Sequence, residues 1–133
     1  MRGLDTNVLV RFLVQDDPLQ AQLAELEISK AVARNERILI QPVVLCELVW
    51  VLETAYDIRR VEVAETLERI LRTAQFEIPR KEAVWGALSD YRSGKADFAD
   101  YFIGRANAED GADETMTFDR GLKGSPRFRL LVP

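Results

Sequence analysis

MRGLDTNVLV, residues Met1 to Val10, is the stretch on which the reading of this chain turns. A short apolar start, Met1, Gly3 and Leu4, breaks at Asp5-Thr6-Asn7, and the apolar run resumes with Val8, Leu9 and Val10. Asp, Thr and Asn end strands and cap helices because their side-chain oxygens accept bonds from the free N–H groups of a first helical turn. The order is therefore strand, carboxylate, helix. In an open parallel sheet, ligands bind in the crevice outside the carboxyl ends of the strands, which is where Asp5 falls. Asp5 then has two readings, a helix cap or a carboxylate of a binding crevice, and the remaining acids decide between them.

Working outward, 133 residues with 47% apolar content make one compact domain, residues 1–133, able to bury a core without staples. The single cysteine, Cys46, forms no internal disulfide, as expected in a reducing compartment. No apolar run reaches the roughly 18 residues of a membrane helix, and no signal-peptide pattern opens the chain. These features predict a soluble, cytoplasmic protein. The absence of histidine excludes Ser/His and Cys/His nucleophilic pairs, imidazole bases and imidazole zinc sites. A net charge of −4 argues against a strongly basic nucleic-acid binder.

Beyond Asn7 a short helix is predicted to about Val14, and Asp17-Pro18 opens a second one with Leu19, Leu23, Leu26 and Ala31 as its apolar stripe. Residues 37–41 read as a buried parallel strand around Ile38, Leu39 and Ile40, after which Pro42 begins a helix. Residues 43–52, VVLCELVWVL, are apolar nearly all round and predict a largely buried helix, with Glu47 as its one charge. A carboxylate in such surroundings is costly unless a cation or hydrogen-bond donors meet it, or unless it reaches solvent at a helix edge. Val63, Leu67, Ile70 and Leu71 define the next helix, and residues 76–78 a short strand. Pro79 opens a helix with Val84, Ala87, Leu88 and Tyr91 inward, Trp85 in core or interface, and Gly94 at its end. Asp97 then caps a helix ending at Gly111, Asp100 lies in its apolar first turn, residues 115–118 form a strand ending at Asp119, and residues 128–132 form the last strand.

Asp5 and Asp119 follow apolar strands, while Glu47 and Asp100 lie near helix starts. In a doubly wound α/β domain those positions share one sheet edge, so all four acids can converge there. Converging carboxylates repel unless a cation lies between them, and hard oxygen ligands select Mg²⁺ or Mn²⁺. Such ions activate water and stabilise in-line phosphodiester displacement, which predicts metal-dependent hydrolysis. With Asp5, Glu47, Asp97, Asp100 and Asp119 set aside, the rest of the chain carries a net charge of +1, and 13 of the 18 basic residues lie from Arg59 onward. Lys95, Arg105, Arg120 and Lys123 are the basic residues placed to meet phosphates.

The blocks GLDTNVLVRFL, VVLCELVWVLETAY, DFADYFIG and TFDRGL, in this order and over almost the whole chain, resemble the PIN-domain ribonucleases, specifically the VapC-like toxins of toxin-antitoxin pairs. The resemblance implies a three-layer α/β/α sandwich around a parallel sheet of four or five strands, and Mg²⁺- or Mn²⁺-dependent endonucleolytic cleavage of RNA. It places the family's acids on Asp5, Glu47, Asp100 and Asp119, with Asp5 and Asp100 the most direct metal ligands. In the third block both Asp97 and Asp100 match; the pattern favours Asp100, with Asp97 as a cap that assists. Thr6, Asn7 and Thr117 match positions that order the carboxylates through hydrogen bonds. The resemblance also implies a homodimer and a small antitoxin protein whose tail enters the acidic groove, with residues 43–52 as a partner or dimer surface.

Three other readings fit less well. A haloacid-dehalogenase-like phosphatase needs a second Asp two residues after the first, where this chain has Asn7. A receiver domain needs its acidic pair at the first strand, and Asp16-Asp17 come too late. A non-catalytic PIN-like module binding RNA or protein is the remaining alternative, and the presence of all four acids counts against it.

Overall fold

The computed structural model describes residues 1–133. Strands and helices alternate: β1 (Arg2–Gly3), α1 (Thr6–Val14), α2 (Pro18–Ala33), β2 (Ile38–Leu39), α3 (Pro42–Thr54), α4 (Arg60–Arg72), β3 (Phe76–Glu77), α5 (Lys81–Ser93), α6 (Phe98–Glu109), β4 (Thr115–Thr117), a 3-10 turn (Arg120–Leu122) and β5 (Phe128–Leu130). Every strand pairing is parallel; helical crossovers join β1 to β2 and β2 to β3, while a loop with the 3-10 turn joins β4 to β5. The strands bond as a three-stranded sheet in the order β1-β2-β3 and a separate β4-β5 pair, rather than as one sheet of four or five. Each strand is only two or three residues long, because caps and turns follow at once. No helix is long and apolar enough to cross a membrane.

Local sequence sets most boundaries. Asp5 caps α1 by accepting from the Val8 N–H at 3.0 Å, and Asp17 caps α2 by accepting from the Gln20 N–H at 3.1 Å, with Pro18 in the first helical position. Pro42 opens α3, and Gly94 closes α5. The start of α5 falls at Lys81, not at Pro79, because Arg80 takes a left-handed φ of 53° ahead of the helix. The core is one continuous cluster. Leu9 of α1, Ile38 and Ile40 around β2, Leu45 and Leu48 of α3, Val63 and Leu67 of α4, Leu88 and Tyr91 of α5, and Phe98 of α6 meet there. Tyr91 and Phe98 pack edge to face with centroids 6.0 Å apart.

Two helices turn differently from their predicted orientation. In α2 the residues facing inward are Ala21, Ala24, Ile28 and Ala31, while Leu19, Leu23 and Leu26 are exposed. This helix carries two apolar stripes, and the small one packs where α1 approaches closely. In α3 the predicted all-round burial fails along one face. Val43 is 62% and Trp50 66% exposed, Glu47 is exposed between them, and Cys46 is half-buried. Those residues follow the spacing of a single helical face, opposite Leu45, Leu48, Val49 and Leu52. Trp85 is half-buried against the core, with the Arg72 guanidinium 5.4 Å from its ring centroid.

Candidate functional site

Asp5 leaves β1 and caps α1 through Oδ1, so its second oxygen carries no protein hydrogen bond. The carboxylate borders a cavity of about 330 Å³ shared with Asn7, Arg11 and Leu23. Sequence reasoning passed over Arg11. Its guanidinium is held by Asp16 at 3.0 Å and by the Tyr56 hydroxyl at 3.1 Å, which leaves the cavity acidic.

Thr6, next along α1, donates from Oγ1 to Glu47 Oε1 at 2.9 Å, so the first turn of α1 orders the exposed acid of α3. Glu47 escapes the desolvation expected of an apolar helix because the exposed face of α3 carries it to solvent. Its neighbour Cys46 is influenced by the same acids. Burial, then the charges of Asp100 and Glu47, push the thiol up to about 11.

Asp100 occupies the first turn of α6, partly buried. Burial first, then the charges of Asp97 and Asp119 and a side-chain hydrogen bond with Asp119, raise its carboxyl above the usual range. Asp97 stands at the cap position of α6 but makes no side-chain capping bond, contrary to its predicted role. Only its backbone oxygen serves the helix, accepting from the Asp100 N–H at 3.1 Å. Its carboxylate is thereby left to face the other acids. Asp119, after β4, accepts from the Gly121 N–H at 2.8 Å through Oδ1, and its own N–H donates to Thr117 Oγ1 at 3.0 Å.

Thr6, next to Asp5, is thus bonded to Glu47, Cys46 feels both Glu47 and Asp100, and Asp100 feels Asp97 and Asp119. As the side chains stand, no three of them close into a ready-made metal cage. The donor chemistry of the acids nonetheless fits a hard cation, since Asp5, Glu47, Asp97, Asp100 and Asp119 offer only oxygen. Arg105 is removed from the phosphate-facing candidates, because Asp90 takes both its Nε and Nη2 at 2.8 Å.

One residue that sequence reasoning missed holds the segment leading to Asp97 and Asp100. Arg60 of α4 donates to the Ala96 carbonyl at 2.6 Å and the Tyr91 carbonyl at 3.0 Å, with its guanidinium 3.8 Å from the Tyr91 ring centroid. The Tyr101 hydroxyl accepts from the Ala96 N–H at 3.3 Å, over a glycine, Gly94, whose position has no room for a side chain. No local pattern signals this fastening, since its partners lie 31 and 36 residues away.

Strand-end and helix-start acids on a parallel α/β framework define a class, and comparison with known families agrees: the chain belongs to the PIN domain family, whose pattern matches residues 4–124. It is similar to the VapC ribonuclease of Aquifex aeolicus (strain VF5), with 27% identity over 123 residues, covering 92% of this chain and 90% of the relative. No solved structure gives a significant match.

Proposed function

We propose that this single PIN domain, residues 1–133, is a Mg²⁺- or Mn²⁺-dependent endoribonuclease and the toxin of a toxin-antitoxin pair. The observation that supports the reading is the mutual influence of Asp97, Asp100 and Asp119, with Glu47 and Asp100 both acting on Cys46 and Glu47 bonded to Thr6 beside Asp5, in a family with a VapC ribonuclease as a relative. Asp5 and Asp100 are the most direct ligands, with Glu47 and Asp119 completing the set. A divalent ion held there supplies an activated water and charge stabilisation for in-line phosphodiester displacement.

The chain's own residues do the rest. Asp5 offers a free oxygen because capping uses only the other one. Thr6 holds Glu47 in one orientation, and the Gly121 N–H fixes Asp119. Burial and the charges of Asp97 and Asp119 around Asp100 disfavour its bare carboxylate, so they favour a cation or a proton there. Thr117 fixes the backbone that delivers Asp119, and Asn7 borders the cavity beside Asp5. The two short sheets together form the centre of the α/β/α sandwich. A small antitoxin whose tail enters the acidic groove, a homodimer, residues 43–52 as the partner or dimer surface, and a cytoplasmic location belong to the same proposal.

The test is cleavage of a mixed-sequence RNA. Activity that needs Mg²⁺ or Mn²⁺, stops with EDTA and disappears in Asp5→Asn and Asp100→Asn supports the reading. Undiminished cleavage by both folded variants contradicts it.

A further inference from the structure

A second cleft, of about 330 Å³, opens between the end of α5 and the loop after the 3-10 turn. Lys95, from the loop between α5 and α6, and Lys123 and Ser125, from the loop after the 3-10 turn, line it. Its one carboxylate, Asp90, is neutralised by the two bonds from Arg105, and neither lysine is in an ion pair. The cleft therefore carries the charge of two unpaired ammonium groups, in a chain that is acidic overall.

Its position is as informative as its charge. Lys95 precedes Asp97 by two residues, a span of about 7 Å of extended chain at most. Gly121 lines the cleft, and its N–H holds Asp119 Oδ1 at 2.8 Å, so one residue borders both the cleft and the acid group. The cavity at Asp5 is unsuited to an anion, because Asp5 and Glu27 line it and its Arg11 is held by Asp16.

We infer that the Lys95–Lys123 cleft is an anion subsite that takes a backbone phosphate of single-stranded RNA, one or two nucleotides from the bond being cut. The inference rests on the nuclease reading above. Two point charges lining one cleft grip a phosphate without reading a base, so the subsite fixes the strand's register past the acids and contributes affinity independent of sequence. The Ser125 hydroxyl adds a donor that needs no charge.

The test uses the full chain and a fluorescein-labelled, mixed-sequence, single-stranded 12-nucleotide RNA, in EDTA so that cleavage does not interfere. Binding is followed by anisotropy across a salt series. The double variant Lys95→Ala/Lys123→Ala is expected to bind about tenfold more weakly at low salt. Its salt slope should flatten by roughly 0.7 for each phosphate that the variant no longer neutralises. A charge-matched control, Lys30→Ala/Lys81→Ala, should keep the native slope. An unchanged slope in the first variant, or an equal loss in the control, overturns the subsite. If the native chain still cleaves RNA in that case, the nuclease reading survives alone; if the native chain neither binds nor cleaves RNA, both fall.

Discussion

Thr6 Oγ1 donates to Glu47 Oε1 at 2.9 Å, joining the first turn of α1 to the exposed face of α3 across 41 residues of sequence. With the bond from Arg11 to the Tyr56 hydroxyl at 3.1 Å, it is one of two side-chain hydrogen bonds that join the block contributing Asp5 to the block contributing Glu47. Removing the hydroxyl with Thr6→Val keeps the shape and frees the carboxylate. Cleavage should fall by about tenfold, the lower end of what losing an outer hydrogen bond at a metal site costs. Thermal stability should change by less than about 1 kcal/mol, since the bond is exposed. Thr6→Ser should restore activity, and kcat measured for the three chains checks this.

Arg60 acts on the segment that leads into α6. Its bond to the Ala96 carbonyl at 2.6 Å fastens the turn just ahead of Asp97, and the stacked Tyr91 ring leaves the guanidinium little freedom. Arg60→Ala should cost about 2 kcal/mol, as loss of a partly buried charged hydrogen bond does. It should also weaken divalent-ion binding. Arg60→Lys should recover little of either, because one ammonium cannot reproduce a fork that reaches two carbonyls. Denaturant unfolding and Mn²⁺ titration of both variants provide the measurement.

Asp100 makes stability depend on pH. Its carboxyl is raised above the ordinary 3.8 by burial and by the charges of Asp97 and Asp119, so the folded chain binds the proton more tightly than the unfolded one. Stability therefore falls as pH rises from 3.8 through the raised value. Asp100→Asn should remove that part of the slope. Adding Mg²⁺ should stabilise the native chain more at neutral than at acid pH, because proton and cation compete for the same oxygens. Melting curves across pH, with and without the ion, test both statements.

How much of the fold and the site is legible in the sequence depends on the range of the interaction. Asp5, Asp17, Pro42 and Gly94 act within a turn of themselves, so their boundaries can be read directly. The orientation of α2 cannot, because its alanine stripe and its leucine stripe have equally helical spacing, and only close packing on α1 chooses between them. An apolar helix makes Glu47 look costly, yet the fold leaves one face of α3 uncovered. The capping bond predicted for Asp97 is absent, which leaves its charge to act on Asp100. Arg105 looks free for phosphate in the sequence because its partner Asp90 belongs to a different helix.

The central claim is that acids from separate blocks of this chain hold one divalent ion. Electron paramagnetic resonance of free Mn²⁺, titrated with the native chain, Asp5→Asn and Asp100→Asn, tests it most directly. Circular dichroism confirms that each variant is folded. The account predicts saturable Mn²⁺ binding by the native chain, weakened at least about tenfold in both variants and lost in parallel with RNA cleavage. Native-like Mn²⁺ affinity in both folded variants would contradict it.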